Sequence, residues 1–157
     1  MMSMNTGGYI VSAEQGPVWE MEPGRPTTFK LLSGQTGGSV AVFEEVVPIE
    51  AGTPLHLHRT SDEIIYILTG ELMVKIGNST THVSAGAWMF IARGTPHGWK
   101  NRGPEPVQAA FIFSPADDAK FFEELRLLAR PIPSIDSATL EALCKQHGYE
   151  LIAFDWD

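Results

Sequence analysis

"PLHLHRTSDEIIYILTG", residues 54–70, decides how the rest of the chain is read. It holds two histidines one residue apart, then Glu63 after four intervening residues, then an apolar run ending at Gly70. Successive side chains of a strand point to opposite faces, so His56 and His58 project to one side and Leu57 to the other. "RTSD" is long enough to turn the chain back, and Glu63 opens the next strand facing the histidines. Nitrogen and oxygen donors then converge from one hairpin, as metal bonds of about 2.0–2.2 Å require. A plainer reading competes: a strand end with incidental histidines, and a glutamate that blunts a sheet edge.

A second stretch, "GAWMFIARGTPHGWKN", residues 86–101, favours the metal reading. His97 follows a strand and a tight Gly-Thr-Pro turn, which places another imidazole at the start of a further strand. Together the two stretches resemble the paired motifs of the cupin superfamily. The first is similar to His-x-His, four residues, Glu, six residues, Gly, matched by His56, His58, Glu63 and Gly70. The second resembles Gly, five residues, Pro-x-Gly, two residues, His, three residues, Asn, matched by Gly86, Gly94, His97 and Asn101. Ala92 stands where the proline usually is, and Glu50 takes the place of the usual first glycine, with Gly52 two residues later. The resemblance runs over residues 27 to 114, and it narrows to bacterial single-domain cupins described as quercetin 2,3-dioxygenase-like.

The resemblance implies a mainly β fold, the double-stranded β-helix or jelly-roll barrel, with two C-terminal helices. It implies a divalent transition metal held by His56, His58, Glu63 and His97. Such donors do not choose among iron, manganese, nickel, cobalt, copper and zinc. It further implies a dioxygenase acting on a flavonol-like aromatic or enolic molecule, with Glu63 also catalytic as acceptor of the substrate's hydroxyl proton. Two other readings stay open, because fold does not fix chemistry. One is an oxygen-independent isomerase, lyase or decarboxylase; the other is a non-catalytic binder of a small ligand.

Around the motifs, from Tyr9 to Phe113, short runs rich in Val, Ile, Phe, Trp and Thr alternate with Gly, Pro and Asn clusters, the rhythm of a barrel. At Ser114 the pattern changes. "SPADDAKFFEELRLLARP" predicts a helix capped by Ser114, with Pro115 at its first position and Phe121, Leu125 and Leu128 as an apolar stripe. A second helix is expected from Ser137 to His147, stopping at Gly148, and the tail "YELIAFDWD" reads as a late strand or docking segment. One domain over residues 1–157 is expected, with the barrel over about 9–114 and a helical extension over about 115–157.

The formal net charge of -8, with no block of Lys or Arg, argues against nucleic acid or an anionic membrane as partner. The start, "MMSMNTGGYI", lacks the charged and apolar regions of an export signal, and a cytoplasmic protein is expected. Cys144, the one cysteine, excludes an intrachain disulfide and reads as a small core residue on a helix face with Leu140, Leu143 and His147. His82, Arg59 and Asp62 read as solvated. Trp88, Phe90, Trp99, Phe111, Phe113, Tyr66, Ile65, Ile67 and Met73 are candidates for an apolar pocket around the metal. The expected partners are a small-molecule substrate and a second copy of the chain, joined through barrel edges and the apolar C-terminal helix.

Overall fold

Strand-forming residues at period two, punctuated by turn residues, yield eleven strands among the residues described, 7–157, of the computed structural model. Residues 1–6, which include most of the segment read for an export signal, lie outside the described residues. The first four strands are β1 (Val18–Glu22), β2 (Arg25–Leu31), β3 (Ala41–Val47) and β4 (Leu55–His58). β5 (Asp62–Thr69), β6 (Glu71–Ile76), β7 (Ser79–Ser84) and β8 (Trp88–Ile91) follow. β9 (His97–Lys100) and β10 (Val107–Ser114) complete the barrel; α1 (Lys120–Leu127), α2 (Ser137–Gln146) and β11 (Tyr149–Ala153) come after it. All pairings are antiparallel. One sheet has the order β1-β2-β3-β10-β5-β8 and the other β11-β4-β9-β6-β7, the two-sheet jelly roll.

Alternation decides what each sheet hides. On β3, β5 and β10 every second residue is buried: Ala41, Phe43, Glu45 and Val47; Glu63, Ile65 and Ile67; Val107, Ala109, Phe111 and Phe113. Phe43 lies at the centre, its ring 5.2 Å from Phe111, 5.8 Å from Phe113 and 5.2 Å from Phe122 of α1. Burying each such ring contributes about 1.5–3 kcal/mol. The opposite parity faces outward, so several candidate pocket aromatics lie elsewhere. Trp88 and Phe90 are 65% and 63% exposed, and Tyr66 stacks on Trp88 at 4.2 Å. Trp99, Phe111, Phe113, Ile65 and Ile67 are inside.

The departure from the expected motif at Glu50, with Gly52 two residues later, has a structural counterpart. Glu50, at the usual glycine, adopts a left-handed φ of 70°, and its N–H donates to the Asn101 carbonyl at 2.8 Å. Its side chain pairs with Arg102. Gly52 has the opposite requirement: a Cβ there would stand 2.3 Å from the Trp99 carbonyl oxygen, so only glycine allows the contact.

The C-terminal extension differs in detail from its expected form. Ser114 ends β10 rather than capping a helix, residues 116–119 wind as a tight 3-10 turn, and α1 begins only at Lys120. The reason is Asp118: its carboxylate is taken by the N–H groups of Thr60 and Ser61, at 2.7 and 2.8 Å. The stripe packs on the chain's own barrel through Phe121 and Leu125, which are buried, whereas Leu128, just past the end of α1, is 40% exposed. α2 is capped by Asp136, which accepts from the Thr139 N–H, and ends just ahead of Gly148. The tail is a strand after all, pairing with β4. Residues 9–12, at the start of the expected barrel, form no strand.

Candidate metal centre

β4 delivers His56 and His58, and β9 delivers His97 directly opposite His56 in the ladder. Glu63 comes from β5 in the facing sheet, level with Phe113 of β10. All four side chains are buried. One ring nitrogen from each of His56, His58 and His97 lies within 4.8 Å of the others, close enough to hold a common metal ion. The ring centroids are 5.0 Å apart for His56 and His58, 4.3 Å for His56 and His97, and 5.4 Å for His58 and His97.

Backbone carbonyls orient two of the rings. His56 Nδ1 donates to the Pro54 oxygen at 2.8 Å and His97 Nδ1 to the Thr95 oxygen at 2.9 Å. With Nδ1 protonated, the Nε2 lone pair of a neutral ring is left to face the cluster, the tautomer a metal needs. His58 has neither arrangement: both of its ring nitrogens are buried without a hydrogen-bond partner. Leaving a buried polar atom unpartnered costs about 1–3 kcal/mol, and a bound ion would relieve it at one nitrogen.

Glu63 stands against the cluster, outside the three converging nitrogens. Its Oε1 is 3.1 Å from His97 Nε2 and 3.8 Å from His58 Nε2. A neutral His97 with its proton on Nδ1 would oppose two acceptors at 3.1 Å, so a proton or a cation must lie between them. The three converging imidazole nitrogens fit a metal ion.

Burial and mutual repulsion set the proton affinities. Burial, then the charge of His97, pulls His56 down to about 3 from an ordinary 6.5, only partly offset by the Pro54 carbonyl. Burial, with repulsion from His56 and His97, holds His58 well below the ordinary value. For His97 burial also acts downward, but the charge and hydrogen bond of Glu63 and the Thr95 carbonyl outweigh it, and the net shift is upward. Two neutral imidazoles beside a carboxylate attract a cation.

The other expected site features fall into place around this cluster. Asn101 is buried and structural: its Nδ2 donates to the carbonyls of Val47 and Glu105, and its Oδ1 accepts from the Gly103 N–H. Arg59 pairs with Glu150 and Asp62 with Arg93. His82 is exposed, and Cys144 is half-buried, its thiol raised by burial. Two contributors carried no motif. Asp118 pins the turn between His58 and Glu63, and Tyr149 of β11 lies against the histidines, 4.7 Å from His56 and parallel to it within 1°. The alternation of the tail was the one available signal for Tyr149.

Residues 42–113 match the model of the family described as Cupin domain. The chain is similar to the uncharacterized protein MJ1618 of Methanocaldococcus jannaschii, 36% identical over 72 residues, 46% of this chain and 58% of that protein. It is 30% identical over 92 residues to the tetracenomycin polyketide synthase protein TcmJ of Streptomyces glaucescens, covering 57% of this chain and 61% of that protein. The chain thus spans about three fifths of the length of these curated relatives. Among solved structures, an RmlC-like cupin from Shewanella frigidimarina superimposes with a TM-score of 0.62 at 18% identity. That match covers 73% of this chain and 96% of the other, and it shows the fold to be the cupin jelly roll.

Proposed function

We propose that this cupin-fold chain is a metal-dependent enzyme acting on a small enolic or phenolic molecule, with His56, His58, His97 and Glu63 as the donors. The observation that carries the reading is the convergence of three buried imidazoles in which His58 has no hydrogen-bond partner. A divalent ion bound there supplies a Lewis-acidic centre that favours the anionic form of a substrate oxygen. His56 and His97 hold their Nε2 lone pairs toward the cluster through the Pro54 and Thr95 carbonyls. Glu63 is the carboxylate beside the cluster, suited to accept the proton of a substrate hydroxyl as that oxygen becomes anionic. Phe113, edge-on to His58 at 5.0 Å, supplies an apolar wall that keeps water from competing.

The reaction in this reading is a dioxygenation, with dioxygen as co-substrate and a flavonol-like molecule as substrate. A second reading is supported by the similarity to a polyketide synthase protein: an oxygen-independent rearrangement of a carbonyl-rich, enolisable chain at the same site. Oxygen uptake by the metal-loaded protein with a 3-hydroxyflavone separates them. Uptake that requires both metal and flavonol is expected; turnover of that substrate under strict anaerobic conditions would eliminate the dioxygenase.

The reading extends to the setting of the enzyme. One domain over 1–157, a cytoplasmic location and a homodimer belong to it. Among the described residues no helix is long and apolar enough to cross a membrane. The apolar stripe of α1 is used within the chain, so the exposed Trp88, Phe90 and Leu68 on the outer face of the six-stranded sheet are the surface suited to a second copy.

A further inference from the structure

The three histidines are oriented unequally. His56 and His97 each have a backbone carbonyl on Nδ1, whereas His58 makes no hydrogen bond at either nitrogen. Its plane is set by aromatic neighbours: Phe113 edge-on at 5.0 Å and 86°, and Tyr149 edge-on at 5.6 Å and 80°. Tyr149 also lies flat on His56 at 4.7 Å. One ring therefore touches both histidines of the His-x-His pair.

Tyr149 is itself firmly held. It is the direct partner of His58 in the β11–β4 ladder, and Phe121 of α1 stacks on its far side at 4.9 Å and 29°. Phe121, Tyr149 and His56 thus form a three-ring stack from the C-terminal helix to the cluster. Beyond Tyr149 the tail is anchored to the strand carrying His97. The Trp156 indole N–H donates to the Thr53 carbonyl at 2.9 Å and its ring packs on Gly98, where a Cβ would stand 3.1 Å away. Asp157 pairs with Lys100 and Arg102.

We infer that Tyr149 is a positioning residue of the metal centre. Its ring does for His58 what a backbone carbonyl does for the other two imidazoles, and the C-terminal strand, lying outside residues 42–113, therefore sets the affinity and geometry of the site. The inference rests on the reading that the histidines bind a metal. A ring is required and a hydroxyl is not, which makes the effect separable from simple loss of fold.

The test uses Co(II) as probe with the full chain, reading its Kd by chelator competition and its visible ligand-field bands. Tyr149→Leu, which keeps apolar bulk without a ring, is expected to raise the Kd by about 10–100-fold, the usual cost of losing a group that orients a ligand, and to change the bands. Tyr149→Phe is expected to keep both at wild-type values. A Leu variant with wild-type Kd and spectrum overturns the inference, as does a Phe variant as impaired as Leu. Should Leu fail to fold, Tyr149→Met takes its place with the same expectation. Failure of the underlying reading looks different: a wild-type chain that binds no Co(II), or binds it equally after His56→Ala, removes the metal site and the inference with it.

Discussion

Two of the polar clusters buried among the described residues, one around Arg25 and one around His58, are finished differently. In the first, the Arg25 guanidinium donates to Glu45 at 3.0 Å, to Glu22 at 3.2 Å and to the Gly52 carbonyl at 3.1 Å. It lies 5.0 Å over the Trp99 ring, and Thr27 donates to the other Glu45 oxygen at 3.3 Å. In the second, His58 has no partner and His97 meets Glu63 as acceptor to acceptor unless something positive intervenes. A fully partnered cluster is complete as it stands and holds strands β2 and β3 in register. An unfinished one in an otherwise packed interior marks where another chemical component belongs.

The sharpest way to break this contrast is to unpair the finished cluster. Glu45→Ala leaves the buried guanidinium with only the part-exposed Glu22 as counter-charge and should cost about 3 kcal/mol in urea unfolding, with metal affinity unchanged. Loss of metal in that variant would mean the clusters are one unit. Burial pushes the Glu45 carboxyl upward against the pull of Arg25 and Thr27.

Acid titration of the metal-free protein sharpens the other side. An unfolded histidine takes up its proton near 6.5, whereas folded His56 does so only near 3, so protonation favours unfolding. Its contribution is intact above 6.5 and is lost as the pH falls from 6.5 toward 3; His58 acts in the same direction. His97, raised in the fold, acts oppositely: its contribution is present below 6.5 and lost as pH rises through its folded value. Below 6.5 the His97 contribution is constant and does not offset the loss from His56 and His58. Stability should therefore decline on acidification below pH 6.5, by up to about 1.4 kcal/mol per pH unit for each depressed histidine, and His56→Ala should flatten the slope. A pH-independent urea midpoint between pH 7 and 5 would contradict the assignment of neutral, buried rings.

The same contrast explains what could be read from the chain alone. The histidine cluster was legible because donors to one ion must converge, and convergence on strands imposes the two-residue spacing of His56 and His58 and a fixed turn before Glu63. Strand content was legible from alternation. Which parity faced inward was not, since a period of two defines two faces without naming the buried one; hence Trp88 and Phe90 lie outside, with the part-buried Tyr66 stacked on Trp88. The Arg25–Glu45 pair was invisible because its members are 20 residues apart and each resembles an ordinary strand charge. Tyr149 and Asp118 were missed for a related reason: their roles are contacts to β4 and to the turn after it, made across some 57 to 93 positions of chain that no local pattern records.

Metal content tests the central claim most directly. Wild-type protein and His58→Ala, both purified without added metal and both with the barrel's circular dichroism intact, are compared by elemental analysis. Wild type should carry about one first-row transition metal ion per chain and His58→Ala almost none, since removing a donor costs at least the ~10–100-fold lost when only its supporting partner is removed. Equal metal in the two proteins, or none in either, would contradict the assignment of this cluster as a metal centre.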